Sequence, residues 1–270
     1  MVYGVLRFIN FAHSDVFMVG AFAGYYLSKF VREASLAGGL FVLAGSMVIC
    51  AILGIVIERL AYRPLRNRSK LNVLITAIGI SLLLENAGQL CFGPNPKPFP
   101  NLFPTTSIHI GPLVLGSNQL VVFIVAILLL VVLQYIVMKT RIGTAMRAVS
   151  FNPAAASLVG INIDHIISFT FGLGSALAAA GGILYSLNYQ AIDPLMGVLP
   201  GLKAFVAAVL GGIGNIPGAA LGGLVLGIIE IFVKGSRWST YTDAIAFTLL
   251  ILILLFRPAG LLGKMRVEKV

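Results

Sequence analysis

The run NQLVVFIVAILLLVVLQYIVM at residues 118–138 carries no charged side chain. An α-helix rises about 1.5 Å per residue, so about 20 apolar residues cross the hydrocarbon core of a bilayer. The length and composition of this run therefore predict a transmembrane helix. Comparable apolar runs lie at residues 11–30, 34–57, 71–93, 166–192, 204–229 and 244–256.

The composition of the whole chain agrees with these runs. Of its 270 residues, 59% are apolar and 10% are charged, whereas about a quarter of an ordinary soluble domain is charged. This excludes a soluble enzyme, a disordered protein and a nucleic-acid-binding protein, the last despite a net charge of +10, because the Lys and Arg residues lie between the apolar runs. We predict an all-α, polytopic transmembrane helical bundle of about seven or eight membrane segments, some broken or re-entrant, in a single domain over residues 1–270.

The positions of the cations predict the orientation of the chain in the membrane. The loop richest in them holds Arg59, Arg63, Arg66, Arg68 and Lys70. If this loop is cytoplasmic, residues 1–10, residues 139–165 and the C-terminal tail lie on the same side, which then holds most of the 19 Lys and Arg residues. Cytoplasmic loops carry such an excess. The orientation requires residues 201–234 to cross twice or to fold back as a re-entrant pair, with the inner turn at residues 211–217.

Glycine spacing predicts close contacts between helices. Three pairs of glycines are four residues apart: Gly20 and Gly24, Gly218 and Gly222, Gly223 and Gly227. Each pair lies on one helix face and lets another backbone approach. Glycine and proline also break the apolar run at residues 204–229, and a broken helix inside a membrane lines a cavity or is buried in protein. We predict either a transport path or inner turn, or else a tight helical hairpin, at Gly211, Gly212, Gly214, Pro217, Gly218 and Gly222.

Ionisable residues within apolar runs are candidate functional residues, because a charged side chain at the bilayer centre costs at least about 2.5 kcal/mol. Glu85 interrupts the run at residues 71–93. We predict a structural contact with a Ser, Asn or backbone group of a neighbouring helix; the alternative is that Glu85 lines the transport path or couples subunits. His13 and Asp15 are candidate polar residues at a membrane boundary.

The sequence contains no recognisable motif for chemistry of its own. It has no G-x-x-x-x-G-K-[ST] sequence to bind the phosphates of ATP and no H-E-x-x-H zinc motif. The cysteines, Cys50 and Cys91, have no metal-ligand spacing. No Ser or Cys nucleophile motif stands near His13 and Asp15, which disfavours a catalytic pair. We expect no catalytic residue, no metal site and no cofactor.

The long loop at residues 139–165 contains the signals of a short helix. Asn152 suits the N-cap and Pro153 the first helical position, while Gly160 suits the position after the helix. Between them, Ala154, Ala155 and Ala156 favour a helix, and Leu158 and Val159 add apolar surface. A helix of about seven residues is marginal alone, so we predict that a partner protein covers it; the alternative is packing on its own bundle or the lipid interface. Asn162 or Asp164 could cap the helix that follows.

Several stretches resemble a known family. They are INFAHSDVFMVGAF at residues 9–22, IERLAYRPLR at residues 57–66, and the stretches at residues 157–185, 201–230 and 243–263. They resemble the permease subunits of branched-chain amino-acid ABC importers, in particular the first (H-type) of the two permease subunits. The family has a further apolar segment before MVYG at residues 1–4, so the chain is expected to lack roughly one span. Ser14 stands where the family usually has Gly.

The resemblance implies a multi-pass protein of the bacterial inner membrane that does no covalent chemistry itself. Its implied partners are a second permease subunit, two cytoplasmic ATP-binding subunits, a periplasmic amino-acid-binding protein and the lipid bilayer, with no nucleic acid. The resemblance also implies a segment that docks onto the ATPase, which contains Asn152, Pro153, Ala154, Ala155, Ala156, Leu158, Gly160 and Asp164. The alternatives are a permease of the same family for urea or short amides, and an ion-coupled secondary amino-acid transporter.

Overall fold

The computed structural model describes residues 10, 12–31, 33–66, 68–104, 107–110, 113–257 and 259–263. The described chain is mainly helical. Its α-helices are α1 Ala12–Ser28, α2 Leu36–Ile57, α3 Lys70–Phe92, α4 Ser117–Lys139, α5 Arg141–Phe151, α6 Pro153–Leu158, α7 Ile163–Tyr189, α8 Val198–Gly211, α9 Ile216–Lys234 and α10 Thr242–Phe256. A π-helix at Glu58–Tyr62 and a 3-10 helix at Arg63–Leu65 follow α2, and a second 3-10 helix, Ser239–Tyr241, precedes α10.

Six stretches of this helical chain are long and apolar enough to cross a membrane. They are Leu36–Leu65, Leu71–Phe92, Ser117–Lys139, Ile163–Tyr189, Ile216–Lys234 and Ser239–Phe256. The predicted all-α, polytopic class is confirmed, and the number of seven or eight membrane segments stays a prediction. The predicted cytoplasmic residues 1–9, with Arg7 and the MVYG stretch, lie outside the described residues.

Short strands occur where the sequence indicated only loops. Strand β1 (Lys97–Pro98) pairs antiparallel with β4 (Ala191–Ile192), and β2 (Ser107–Ile110) pairs antiparallel with β3 (Leu113–Gly116). Proline fixes its own φ and disfavours the α conformation of the residue before it. The proline-rich segment after α3 is therefore extended, and its backbone groups pair with other extended segments.

The chain forms two compact units, one ending at Val198 and the other beginning at Leu199. The prediction of one domain over residues 1–270 stays a prediction. In the first unit, α7 packs against both α1 and α2 and supplies many of the buried residues. The centre of this core contains fully buried side chains from all three helices, among them Met18, Phe22, Val42 and Ile183.

Small residues allow the helices of the first unit to pack closely. A Cβ atom on Gly20 would lie 2.3 Å from the Cα of Ala179, and one on Gly24 would lie 2.9 Å from Cγ1 of Ile183. The predicted close approach at this pair is confirmed, because both glycines of α1 face α7.

In the second unit, close packing involves only one of the two predicted glycine pairs. A Cβ on Gly218 would lie 2.4 Å from the carbonyl oxygen of Gly211, and one on Gly222 would lie 2.1 Å from that of Ala207, so this pair faces α8 as predicted. The prediction for Gly223 and Gly227 is wrong within the described residues. A Cβ on Gly227 meets nothing within 4 Å, and one on Gly223 meets only an alanine side chain at 3.9 Å. Glycines four residues apart thus occur both on the face of α9 that packs against α8 and on a face of α9 that makes no close contact among the described residues.

Candidate functional site

The loop at residues 139–165 folds into two helices, α5 and α6. The Oδ1 atom of Asn152 accepts a hydrogen bond from the backbone N–H of Ala155 at 3.1 Å, and Pro153 is the first residue of α6. Gly160, after the end of α6, has a φ of 84°, which favours glycine. The predicted short capped helix is confirmed at each of these positions.

Helix α5, Arg141–Phe151, was not predicted. Its signal in the sequence is Thr140, whose hydroxyl caps the helix by accepting a hydrogen bond from the N–H of Gly143 at 3.1 Å. The buried residues Gly143, Met146 and Val149 lie three residues apart along its inner face. The helix that follows α6 is capped by Asn162, which accepts from the N–H of His165 at 3.1 Å. Of the two predicted caps, the structure therefore selects Asn162 rather than Asp164.

Helix α6 presents an apolar surface that no part of the described chain covers. Leu158 is 88% exposed and Val159 77% exposed, and Ala154 and Ala155 are exposed beside them. Ala156, by contrast, is 3% exposed and lies on the face of the helix that packs against the rest of the first unit. No charged residue lies between positions 151 and 159. The result is a short helix with capped ends and an exposed apolar tip.

Asp164 takes part in a cluster of charged residues. Its carboxylate pairs with Arg63, and its Oδ1 atom lies 2.6 Å from Nη1 of Arg66. Arg66 also pairs with Glu58, which is fully buried. Sequence reasoning missed this cluster because its members are about a hundred positions apart, although Glu58 at the end of an apolar run was one visible signal.

A second polar group lies between α1 and α3. Asp15 is 1% exposed and accepts a hydrogen bond from the hydroxyl of Ser81. Glu85 follows Ser81 by one helical turn and is half-buried. Among the described residues, Glu85 makes no hydrogen bond and no salt bridge, so the contact with Ser belongs to Asp15 rather than to Glu85. The predicted roles of Glu85 in the path or in subunit coupling stay predictions.

His13 belongs to a different polar group from Asp15. Its Nδ1 atom lies 3.0 Å from Nδ2 of Asn10, and its ring packs edge-on against Phe171 with 6.0 Å between ring centroids. The hydroxyl of Tyr62 donates to Oδ1 of the same Asn10 at 2.6 Å. His13 and Asp15 thus face different neighbours, and the geometry does not bring them together as a pair. Their proposed role at a membrane boundary stays a prediction.

In the second unit, the predicted break of the 204–229 run is confirmed. Helix α8 ends at Gly211 and α9 begins at Ile216, with φ angles of 104° at Gly212 and 91° at Gly214 in the turn. The N–H groups of Leu261 and Leu262 donate to the carbonyls of Leu210 and Gly211 at 2.8 and 3.1 Å.

Helices α8 and α9 approach closely beside the turn that joins them, where Gly218 and Gly222 face the carbonyl oxygens of Gly211 and Ala207. The tight helical hairpin stays a prediction. Pro217 lies in the first turn of α9, and the residues before it pack against the segment around position 261. A role of Gly211, Gly212, Gly214, Pro217, Gly218 and Gly222 in a transport path stays a prediction.

Sequence reasoning also missed an ion triad in this unit. The Nζ atom of Lys203 lies 2.9 Å from Oε1 of Glu230 and 2.7 Å from Oδ1 of Asp243. The triad connects α8, α9 and α10: Lys203 and Glu230 flank the apolar run at residues 204–229, and Asp243 precedes the run at residues 244–256. Its separate charges were visible in the sequence, but nothing in their spacing indicated that one lysine would pair with two carboxylates.

Long apolar helices with polar pairs buried between them define a class of protein: a polytopic, helical membrane protein. The family model described as "Branched-chain amino acid transport system / permease component" matches residues 1–254. The chain belongs to this family. The predicted resemblance is thereby confirmed, as is the prediction that the chain is a membrane permease subunit and not an enzyme.

Several relatives resemble the chain over nearly its whole length. The high-affinity branched-chain amino acid transport system permease protein BraD of Pseudomonas aeruginosa is 41% identical over 278 residues, which cover 100% of this chain and 91% of that protein. For the corresponding protein LivH of Escherichia coli (strain K12), the identity is 40% over 284 residues, with coverages of 100% and 90%. A probable LivH of Methanocaldococcus jannaschii is 31% identical over 272 residues, with coverages of 94% and 82%. No solved structure matches the chain significantly.

Proposed function

We propose that this chain is the inner-membrane permease subunit of an ATP-driven ABC importer of branched-chain amino acids. The observation that carries the proposal is its similarity, over the full chain, to BraD and LivH. In this proposal a second permease subunit completes the translocation path, two cytoplasmic ATP-binding subunits supply the energy, and a periplasmic binding protein delivers the amino acid. Substrate choice rests mainly with the binding protein.

We propose α6 as the coupling helix, the element that docks onto an ATP-binding subunit. Its exposed apolar tip, with Leu158 88% and Val159 77% exposed, carries no charge and suits a groove on a protein partner. Its cap at Asn152 and the glycine at position 160 define both ends, so little conformational entropy is lost on docking. The other coupling positions are Pro153, Ala154, Ala155, Ala156 and Asp164.

The proposed membrane segments are α1, α2, α3, α4, α7, α10 and the pair formed by α8 and α9. The alternation of these segments places α5, α6 and the cations at positions 59–70 on the cytoplasmic side. In the membrane, the largely exposed apolar surface of α4 contacts lipid or the second permease subunit. Glu85 then lies in the path or at a subunit interface, because it is half-buried and lacks a hydrogen-bond partner among the described residues.

Uptake of leucine into proteoliposomes tests the proposed function. The chain is reconstituted together with the second permease subunit, the ATP-binding subunits and the amino-acid-binding protein encoded by neighbouring genes. ATP is enclosed in the proteoliposomes, on the side of the ATP-binding subunits. We expect uptake that requires ATP and survives dissipation of ion gradients, with isoleucine and valine as competitors. Uptake that persists without ATP and stops with the ion gradient would instead identify a secondary transporter. Competition by urea or acetamide but not by valine would identify the amide permease.

Substituting Glu85 with Ala is expected to reduce uptake about tenfold, equivalent to about 1.4 kcal/mol, while the protein still inserts into the membrane. The physical reason is that a half-buried carboxylate without a hydrogen-bond partner among the described residues contributes little to folding and is free to act on the path or the partner. Initial uptake rates at equal amounts of membrane protein provide the measurement.

The matched control for Glu85 is Asn86→Ala, the next residue on α3. Asn86 is exposed, and its side chain bonds only within its own helix, to the carbonyl of Leu82 at 2.7 Å. Uptake by this control should match that of the unsubstituted protein. Equal uptake kinetics for Glu85→Ala and the control would rule out a role of Glu85 in transport.

A further inference from the structure

The motif IERLAYRPLR at residues 57–66 has no role yet in the transport proposed above. In the structure it forms the π-helix and the 3-10 helix that follow α2. Its side chains reach the first two turns of α7, the helix that begins directly after α6 and its glycine. The motif therefore joins the end of one long helix to the start of another.

Five residues form this junction, which we call the Arg66 cluster: Glu58, Arg63, Arg66, Asp164 and Ser168. Arg66 lies at its centre and pairs with both carboxylates, with 2.6 Å between its Nη1 and Oδ1 of Asp164. The hydroxyl of Ser168 donates to Oε2 of Glu58 at 2.5 Å. Both carboxylate oxygens of Glu58 thus have partners, one on its own segment and one on α7.

The central ion pair of the Arg66 cluster is largely buried. The Glu58 side chain is 0% exposed and that of Arg66 is 18% exposed, so their charges are largely removed from water. Removing one partner of a buried ion pair is strongly destabilising, because the other charge is left uncompensated. The segment at residues 58–66 is joined to α7 through Ser168, which bonds to the buried carboxylate of Glu58, and through Asp164, which pairs with Arg63 and Arg66.

Apolar and close backbone contacts extend the junction. The ring of Tyr62 is 2% exposed and lies 5.2 Å, between centroids, from that of Phe171. Further along the same two helices, a Cβ on Gly54 would lie 2.0 Å from Oγ of Ser175. Helices α2 and α7 are thus joined by charge pairs at one end and by close packing along their length.

Helix α6 is directly connected to this junction. After Gly160, Asn162 caps α7, and Asp164 follows in its first turn. A displacement of α6 consequently reaches Asp164 within a few residues. The π-helix adjoining the cluster is a form of backbone that is rare and is often found at functional sites.

We infer that Glu58, Arg66 and Asp164 are positioning residues, which hold α6 in a fixed relation to α2 and α7 so that its ATP-driven displacement moves the membrane helices. This inference rests on the proposed function. The Arg66 cluster itself contacts neither the transported solute nor ATP in this account. Its loss should leave ATP hydrolysis running while less solute is moved per ATP.

The test uses the importer assembled in proteoliposomes and measures the number of ATP molecules hydrolysed per leucine imported. Asp164→Asn keeps the size of the half-exposed side chain but removes its charge. We expect this ratio, measured per assembled complex, to rise about tenfold. Asp164→Glu, which restores the carboxylate, should bring the ratio back to near that of the unsubstituted protein.

A matched control is Arg59→Gln, on the same π-helix; Arg59 has no ion pair among the described residues. Its ratio should stay unchanged. If Asp164→Asn lowers the amount of complex, the double variant Glu58→Gln with Arg66→Gln gives the same comparison, because it leaves no unpaired charge buried. An unchanged ratio in the surviving complex of either variant would overturn the inference. Absence of ATP-dependent uptake by the unsubstituted importer would overturn the proposed function instead.

Discussion

Leu158→Glu is expected to abolish ATP-driven uptake while leaving the permease folded in the membrane. Leu158 is 88% exposed in the isolated chain, so a carboxylate there meets water and costs little in folding. Docking onto an ATP-binding subunit would bury that carboxylate and forfeit the burial of a leucine, together worth about 3 kcal/mol or a factor of about 100 in affinity. Uptake and copurification of the ATP-binding subunit should fall together.

Two further variants separate docking from folding at α6. Leu158→Met keeps an apolar side chain of similar volume and should retain uptake and copurification. Ala155→Arg should act like Leu158→Glu, since Ala155 is also exposed on α6. Gly160 is a poorer test, because its φ of 84° would strain any substituted residue. Normal copurification of the ATP-binding subunit with Leu158→Glu would refute docking through this helix.

Gly20→Leu is expected to prevent accumulation of folded protein. A Cβ at this position would lie 2.3 Å from Cα and 2.6 Å from Cβ of Ala179, and a backbone atom cannot rotate away. Helices α1 and α7 would have to separate, at a cost of about 3 kcal/mol or more, at the upper end of the usual range for overpacking. The measurements are the yield of monodisperse protein in detergent and its midpoint of thermal unfolding.

Gly79→Leu is the control for Gly20→Leu. Gly79 is exposed on α3, and a Cβ there would meet nothing within 4 Å. Leucine is a better helix former than glycine by about 0.8 kcal/mol, so this variant should accumulate at least as well as the unsubstituted protein. Similar yields and unfolding midpoints for the two leucine variants would contradict the close packing of α1 on α7.

The positions that the sequence predicted well are those whose structure depends on near neighbours. Asn152, Pro153 and Gly160 act through the cap, the first turn and the end of a single short helix, so their residue types suffice. Helix α5 was missed although Thr140 has the same kind of signal, because a long polar loop between two spans is usually irregular. The break between α8 and α9 was predicted for a local reason as well, the high content of glycine and proline.

The contacts that were missed join residues far apart in the chain. Arg66 and Asp164 are separated by 98 positions, and no periodicity within either segment indicates the other. The pairing of Lys203 with both Glu230 and Asp243 likewise depends on how three helices meet. Glycine spacing was only partly informative, since it identified Gly20 and Gly24 correctly but not Gly223 and Gly227.

The amino-acid sequence alone determined that this protein is a membrane-embedded helical bundle, because hydrophobicity and helix capping act over one or a few turns of the chain, and its motifs identified the permease family by resemblance. Only the tertiary structure decided which polar residues are joined: Asp15 to Ser81, Tyr62 to Asn10, and Arg66 to both Glu58 and Asp164. The physical reason is that a buried charge must find its partner in space. Which partner it finds depends on the packing of whole helices against one another.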